Sequence, residues 1–174
     1  AKPLPGVPPA SDLTVRAAEA LRAVTGVTAG VTLHVEKRLP MGGGLGGGSS
    51  DAATALIALN RLWRTGLDSL QLQRTGLALG ADVPVFIHGR TAFAEGVGEH
   101  FTDVALPAAW YLVLVPDVAV PTLEIFRSAG LRRDTPTIAA ADWRPGFGHN
   151  DLEAVACERY PEVARHLEWL RHHG

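Results

Sequence analysis

The sequence predicts a globular chain that combines α-helices with short β-strands. Apolar residues recur at helical spacing in residues 13–24, alternate with polar residues in residues 31–36, and become strand-like again after Gly80. At 174 residues the chain can hold one domain, or one domain and part of another. We predict a domain boundary near residue 100.

The first half of the chain reads as a helix, a strand, a glycine-rich turn and two further helices. Ser11 or Asp12 can cap the first helix, whose apolar residues share one face. The alternation in residues 31–36 predicts a half-buried strand. The following elements are a glycine-rich turn at residues 37–50, a strong helix at residues 51–64 and a second helix at residues 69–79.

The second half begins with strand patterns and ends with helices. The strand candidates are residues 83–87, 91–95 and 111–115. The expected helices are residues 122–129 after Pro121, a helix opened by Asn150 with Glu153 at capping-box spacing, and a last helix that begins at Pro161.

Composition and charge exclude several classes of function. The net charge is −2 and the basic residues are scattered, which argues against binding of nucleic acid. Cys157 is the only cysteine, so an internal disulfide or a cysteine-built metal site is impossible, and the histidines lack metal-ligand spacing. No apolar stretch approaches the ~20 residues of a membrane span, and the N-terminus does not resemble a signal peptide. We expect a cytoplasmic protein without a membrane or nucleic-acid partner.

The glycine-rich run is the most informative stretch. Six of the seven residues at positions 42–48 are glycine, so the backbone can approach a ligand closely. The N–H groups of such a turn, together with the N-terminus of the next helix, form a site suited to phosphate. Ser49 and Ser50 add hydroxyl donors. A flexible linker is the alternative, but the run lies between a strand pattern and a helix pattern, which favours a binding loop.

Two common phosphate motifs do not account for this run. The P-loop is absent because no lysine follows the glycines. The pattern GxGxxG occurs at Gly42, Gly44 and Gly47, but a dinucleotide site also requires an acidic residue at the end of a second strand. Asp68 lies at the required distance from the glycines, but it stands between two helical patterns and not at the end of a strand. The dinucleotide interpretation therefore fails.

The glycine-rich run resembles the phosphate-binding motif of the GHMP kinases, the galactose, homoserine, mevalonate and phosphomevalonate kinase superfamily. The match is strongest to the branch that acts on a diphosphocytidyl sugar alcohol. Four segments of this chain stand in the same order and at the same spacing as in that branch, and together they span nearly the whole chain. They are KRLPMGGGLGGGSS at residues 37–50, LGADVPVF at 79–86, AFAEGVGE at 92–99 and NDLE at 150–153.

This resemblance implies both a fold and an activity. The fold would be α+β, with an incomplete ribosomal-S5-domain-2-like, ATP-binding N-terminal domain over residues 1–100 and part of a second α+β domain over residues 101–174. The activity would be ATP-dependent phosphorylation of the 2-hydroxyl of 4-diphosphocytidyl-2-C-methyl-D-erythritol in non-mevalonate isoprenoid biosynthesis, with Mg²⁺ arriving with ATP. A homoserine- or mevalonate-type kinase and a non-catalytic nucleotide-binding domain remain alternatives.

The resemblance also implies roles for individual residues. Asp82 would be the catalytic aspartate, and Thr122 and Phe126 would contact the cytidine-diphosphate substrate, with Phe126 against the cytosine ring. Lys37 and residues 12–13 would lie around the adenine. The implied ATP-binding set is Lys37, Pro40, Met41, Gly42, Gly43, Gly44, Leu45, Gly46, Gly47, Gly48, Ser49 and Ser50.

Without the family, two of these residues have plainer interpretations. Asp82 would be a turn residue beside Gly80 and Pro84, because aspartate favours turns through local hydrogen bonds. Phe126 would be a core residue at helical spacing from Leu123. Their functional roles therefore rest on the resemblance.

The chain departs from the family pattern in two respects. Asp12 and Asp51 stand where the pattern carries asparagine, and a negative charge near phosphates is unfavourable unless it faces away or holds the metal. The family's lysine-bearing first strand and its C-terminal glycine-rich motif have no counterpart here. We therefore expect the chain to be the central portion of a longer protein and to be a poor kinase alone.

Overall fold

The computed structural model describes residues 7–39, 44–144 and 146–173. The chain divides into two compact units between Ala105 and Leu106. The elements of the first unit are α1 (Leu13–Thr25), α2 (Gly47–Leu62), α3 (Ser69–Leu77), α4 (Val83–His88), β1 (Ala92–Glu95) and β2 (His100–Asp103). The elements of the second unit are α5 (Thr122–Phe126), α6 (Glu153–Arg159) and α7 (Pro161–His173). Short 3-10 turns occupy Pro9–Ser11 and Ala140–Asp142.

The core of the first unit forms where α1 packs on α2, with α3 and α4 against them. Leu21 of α1 and Leu56 of α2 are completely buried. Alanines line both helices at the contact, and small side chains let helix backbones approach closely. The buried set comprises Ala17, Ala18, Leu21, Ala52, Ala53, Ala55, Leu56, Leu59, Leu72, Val83 and Ile87.

Side-chain caps fix where α1 and α3 begin. The Asp12 carboxylate accepts a hydrogen bond from the Thr14 N–H at 2.8 Å, which satisfies one of the free donors in the first turn of α1. Asp68 accepts from the Gln71 N–H, and the Gln71 side chain accepts from the Asp68 N–H, so α3 opens with a full capping box. Asp12 therefore has a structural role at the start of α1.

The two strands form an antiparallel hairpin that is tied to α4. Ala92 lies opposite Asp103, and Glu95 lies opposite His100. The Asp103 carboxylate contacts His88 Nε2 through one oxygen and the Arg90 guanidinium through the other, each at 2.7 Å. These contacts fasten the end of α4 to β2.

The second unit has a small core and long exposed segments. Its buried hydrophobic residues are Ile125, Leu131 and Val155. Among the described residues of α7, none is fully buried. Residues 110–115 have no regular secondary structure, and Trp110 and Tyr111 expose most of their side chains. Within the ranges that the structure describes, every helix is too short or too polar to cross a membrane.

The structure confirms the mixed helix and strand content and most of the predicted helices. The helices predicted at residues 13–24, 51–64 and 69–79 and the last helix from Pro161 are present as α1, α2, α3 and α7, and the strand at residues 91–95 is β1. Some ends differ. α2 begins four residues earlier, at Gly47, and α5 ends at Phe126.

The predicted start of α6 is wrong by two residues, because a cap at Asn150 would place the first helical residue at position 151. The helix begins at Glu153, because the Asn150 side chain accepts the N–H of Leu152 in a turn that precedes it.

Three predicted strands are wrong. Residues 83–87 are α4, since Pro84 sits in the first helical turn, where its missing N–H is harmless, and Gly89 ends the helix with φ 70°. Residues 31–36 and 111–115 have no regular secondary structure and no ladder partner among the described residues, and a strand requires one. Residues 32–36 keep the predicted alternation of exposed and half-buried side chains, whereas Val31, predicted to face inward, is exposed.

Candidate phosphate-binding site

The described part of the glycine-rich run leads directly into α2. Gly44 and Gly46 adopt left-handed backbone conformations, with φ of 69° and 67°, and Gly46 is the residue that precedes the helix. The first N–H groups of an α-helix have no acceptor within it and can bind an anion. Gly47, Gly48 and Ser49 supply these groups here. Pro40, Met41, Gly42 and Gly43 lie outside the described residues.

Side chains from three other segments hold this run in place. The Phe86 ring covers Gly46 so closely that a Cβ on Gly46 would lie 2.7 Å from Phe86 Cζ. A Cβ on Gly48 would lie 3.3 Å from Leu13 Cδ1, and one on Gly47 would lie 3.5 Å from Leu39 Cδ1. Residues 46–48 are therefore packed, unlike a free linker.

Lys37 and Asp51 form an ion pair beside the start of α2. The Lys37 ammonium lies 2.5 Å from Asp51 Oδ2, and a Cβ on Gly47 would lie 3.7 Å from the same ammonium. Lys37 is half-buried, as are Leu33 and Val35 in the same segment. The charge of Asp51, which departs from the family pattern, is thus compensated by a neighbour. A position of Lys37 near the adenine remains a prediction.

Asp82 occupies the position that precedes α4. Its side chain is exposed and makes no capping hydrogen bond, so it is free to meet a ligand. Phe86, which covers Gly46, follows Asp82 by four residues, or about 6 Å along a helix. A Cβ on Gly98 would lie 3.6 Å from the Ala81 carbonyl, so the hairpin turn flanks the residue next to Asp82. The structure thereby groups Asp82, the glycine-rich run and the hairpin turn in one unit.

Thr122 and Phe126 lie in the second unit, at the two ends of α5. Residues four apart on a helix share a face, and both side chains are exposed. The Arg133 guanidinium donates a hydrogen bond to the Phe126 carbonyl, which ties down the end of α5. Phe126 is therefore not the core residue that its spacing suggests, and an exposed ring is available for a ligand.

The segment NDLE contains a carboxylate with a shifted pKa. The Thr135 hydroxyl donates a 2.8 Å hydrogen bond to Asp151 and is the main cause that lowers the pKa of Asp151 below its usual value of 3.8. Partial burial opposes this shift, and His149, 2.8 Å away, adds to it. Asp151 connects the loop before α6 to residue 135 and so has a structural role.

A carboxylate is available for the Mg²⁺ that would arrive with ATP. Mg²⁺ usually binds to substrate phosphates and to one or two carboxylates, and retains several waters. The exposed carboxylate of Asp82 is of the required kind. Across the ranges that the structure describes, no cluster of three or more His, Cys, Asp or Glu side chains could hold a metal ion by itself.

Several contacts at this site were not predicted from the sequence. These are the Phe86 ring over Gly46, the contact of Leu13 with the start of α2, and the pairing of Lys37 with Asp51. The only sequence signal was indirect, since Phe86 and Lys37 belong to segments that resemble the family.

Comparison with known proteins identifies the family of this site. Residues 12–90 match the family described as GHMP kinases N terminal domain. A curated relative from Dechloromonas aromatica (strain RCB), named 4-diphosphocytidyl-2-C-methyl-D-erythritol kinase, is 61% identical over 174 residues, which is 100% of this chain and 64% of the relative. A relative of the same name from Azoarcus sp. (strain BH72) is 61% identical over 169 residues, 97% of this chain and 60% of the relative.

A solved structure agrees with the sequence relatives. It is titled "Crystal structure of 4-(cytidine 5'-diphospho)-2C-methyl-D-erythritol kinase" and is 36% identical, with a TM-score of 0.69 over 88% of this chain and 59% of that one. The chain spans about 60% of the length of the curated relatives it matches. Residues 12–90 therefore carry a GHMP kinase N-terminal domain.

Proposed function

We propose that this chain carries the phosphate-binding and acceptor-binding residues of a kinase that uses ATP to phosphorylate the 2-hydroxyl of 4-diphosphocytidyl-2-C-methyl-D-erythritol. The observation that carries the proposal is the 61% identity, over the whole chain, to a relative named for that reaction. The glycine-rich run packed at the start of α2 supports it physically. The reaction belongs to isoprenoid precursor biosynthesis. Because both substrates are charged phosphate compounds that do not cross membranes unaided, we place the activity in the cytoplasm.

Each residue group has a part in this proposed reaction. Phosphoryl transfer depends almost entirely on positioning and on stabilisation of charge. Gly44, the α2 N–H groups and the hydroxyls of Ser49 and Ser50 would hold the ATP phosphates. Mg²⁺ bound with ATP would neutralise charge on those phosphates.

Asp82 would orient the acceptor hydroxyl and accept its proton as the hydroxyl oxygen bonds to the γ-phosphorus and the bond to ADP breaks.

The helix α5 would recognise the acceptor. Phe126 would stack on the cytosine ring, since an exposed aromatic ring gains about 1–3 kcal/mol from stacking on a base. Thr122, one turn earlier on the same helix face, would donate or accept a hydrogen bond. The proposed domain assignment is an incomplete ATP-binding N-terminal domain over residues 1–100 and part of a GHMP kinase C-terminal domain over residues 101–174.

A coupled ADP-release assay on the complete gene product tests the proposal. The diphosphocytidyl substrate, the same sugar alcohol phosphate without cytidine, homoserine and mevalonate are compared at equal concentration. We expect turnover with the first and little with the others. Turnover with homoserine or mevalonate would assign the chain to a different GHMP kinase. ATP binding without turnover on any acceptor would indicate a non-catalytic nucleotide-binding protein.

A further inference from the structure

An ion pair joins the two ends of the glycine-rich run. Lys37 precedes the run and Asp51 follows it, 14 residues later, yet their charged groups are 2.5 Å apart. Their side chains are only 20% and 35% exposed. The neighbouring pair Arg38–Glu36, by contrast, is 81% and 69% exposed and spans only two residues. Solvent weakens such exposed pairs, so the half-buried pair contributes more.

The ion pair between Lys37 and Asp51 reduces the conformational entropy that the glycine-rich run loses when it binds a ligand. Glycine has more conformational freedom to lose than any other residue, and a run this rich in glycine is costly to order. A contact between the residues that flank a loop removes part of that freedom before a ligand arrives. Pre-ordering of a binding loop raises affinity because the ligand no longer has to order it.

The pair also compensates the negative charge of Asp51 beside the proposed phosphate site. An isolated carboxylate at Asp51, in the second turn of α2, would repel the phosphates of ATP. The Lys37 ammonium compensates that charge with one of its three N–H donors. Because a Cβ on Gly47 would lie 3.7 Å from the ammonium, its other donors lie at the start of α2, where the phosphates are expected.

We propose that Asp51 is a positioning residue, which closes the glycine-rich run through its ion pair with Lys37 and holds the Lys37 ammonium for the triphosphate of ATP. This inference rests on the proposed function, and it assigns Lys37 to the phosphates instead of the adenine. The closed state exists without ligand and is therefore testable in the absence of ATP.

The test compares Lys37→Gln, Asp51→Asn, the double variant, Lys37→Arg and the control Arg38→Gln in the complete gene product. One readout is amide hydrogen exchange at residues 44–48 without ligand, and the other is the affinity for ATP and for adenosine. We expect Lys37→Gln and Asp51→Asn each to speed the exchange and to weaken ATP binding about 3- to 10-fold. The double variant should be little worse than Lys37→Gln alone, because Asp51 acts only through Lys37.

Lys37→Arg should keep most of the affinity, since it preserves the pair, and Arg38→Gln should resemble the wild type. Adenosine binding should stay unchanged throughout, and KM for ATP should rise while kcat changes little. Unchanged exchange and affinity in Asp51→Asn would overturn the proposal. Equal loss of ATP and adenosine binding in Lys37→Gln would overturn it too and return Lys37 to the adenine. If the wild type does not bind ATP, the proposed function fails, and the exchange rates alone support or overturn the closure of the run.

Discussion

At the scale of single residues, two aspartates show how one residue type serves either stability or function. Asp68 and Asp82 both stand directly before a helix. The Asp68 carboxylate takes part in a capping box, whereas the Asp82 carboxylate is exposed and makes no capping hydrogen bond. Since an N-cap side chain usually stabilises a helix by about 1 kcal/mol, Asp82 leaves this stabilisation unused. That makes Asp82 the better candidate for catalysis.

Replacement of these two residues should have opposite consequences. Asp82→Asn should lower kcat roughly 10²–10⁴-fold, the usual contribution of a positioned acid–base group, while ATP affinity changes little. Its free energy of unfolding should stay within about 0.5 kcal/mol of the wild type, because no native contact is lost. Asp68→Ala is the control and should lower the free energy of unfolding by about 0.5–2 kcal/mol while kcat is kept. Steady-state kinetics and urea unfolding measure both effects. Near-normal turnover of Asp82→Asn would return Asp82 to a turn residue.

The pKa of Asp151 gives a prediction about pH. Because the folded-state pKa lies below 3.8, the carboxylate stabilises the fold at pH values above 3.8, and this stabilisation is lost as the pH falls through the lower, folded value. Thr135→Val removes the main cause of the shift, so the pKa of Asp151 should rise and the acid-sensitive stabilisation should shrink. Carboxyl ¹³C titration by NMR and urea unfolding from pH 2 to 7 measure the two quantities. An unshifted titration in Thr135→Val would show that another group sets the pKa.

At the scale of helices and strands, local signals in the sequence were sufficient for some elements and not for others. Caps and apolar spacing identified α1 and α3, because these signals act within a few residues. The residues of α4 include the β-branched Val83 and Ile87, whose strand propensity hid the helix signals of Pro84 and Gly89. The pairing of a strand, in contrast, depends on residues far away in the sequence, so alternation alone could not establish it for residues 31–36.

At the candidate site too, local features could be predicted from the sequence, whereas contacts between distant segments could not. The sequence predicted a glycine-rich phosphate loop that leads into a helix, since that motif is local. It did not predict Phe86 over Gly46 or the pair of Lys37 with Asp51, because those contacts depend on how separate segments meet. The assignment of Asp82 required the family, since an exposed aspartate before a short helix has no local property that marks it as catalytic.

The packing of α4 against the glycine-rich run can be measured with two matched glycines. Gly44→Ala and Gly46→Ala should both cost about 1–2 kcal/mol of folding free energy, because each residue has positive φ. Gly46→Ala should cost roughly 1–3 kcal/mol more, since its Cβ meets the Phe86 ring, whereas a Cβ on Gly44 meets nothing within 4 Å. Urea unfolding measures the difference. Phe86→Ala in the Gly46→Ala background should remove the excess cost, and persistence of that cost would place its origin elsewhere.

At the scale of the whole molecule, residues 110–115 form an exposed apolar segment that we expect to affect behaviour in solution. Trp110, Tyr111 and Leu112 expose most of their apolar surface, and this segment has no ladder partner among the described residues. Exposed apolar residues on an unpaired segment favour association with another chain. We expect the 174-residue chain to self-associate at micromolar concentration.

Sedimentation velocity measures this association. Leu112→Lys should shift the chain towards monomer, while Leu70→Lys, at an equally exposed site on α3, should not.

We also expect the isolated chain to release ADP far more slowly than a full-length relative, because phosphoryl transfer requires a complete set of positioning groups. A monodisperse chain with comparable activity would contradict both expectations.

The unequal cores of the two units have a consequence for the lifetime of the molecule. Among the described residues, the first unit buries eleven hydrophobic side chains in its core and the second unit three. Regions with few buried contacts open locally at low free-energy cost, and proteases cleave the opened chain. Limited digestion should therefore remove α5–α7 first and leave a resistant product that contains α1–α4. With the roles proposed above, a cell that degrades this chain would lose α5, the proposed acceptor-binding helix, while the proposed phosphate-binding loop was still folded, and the surviving piece would hold ATP without consuming it.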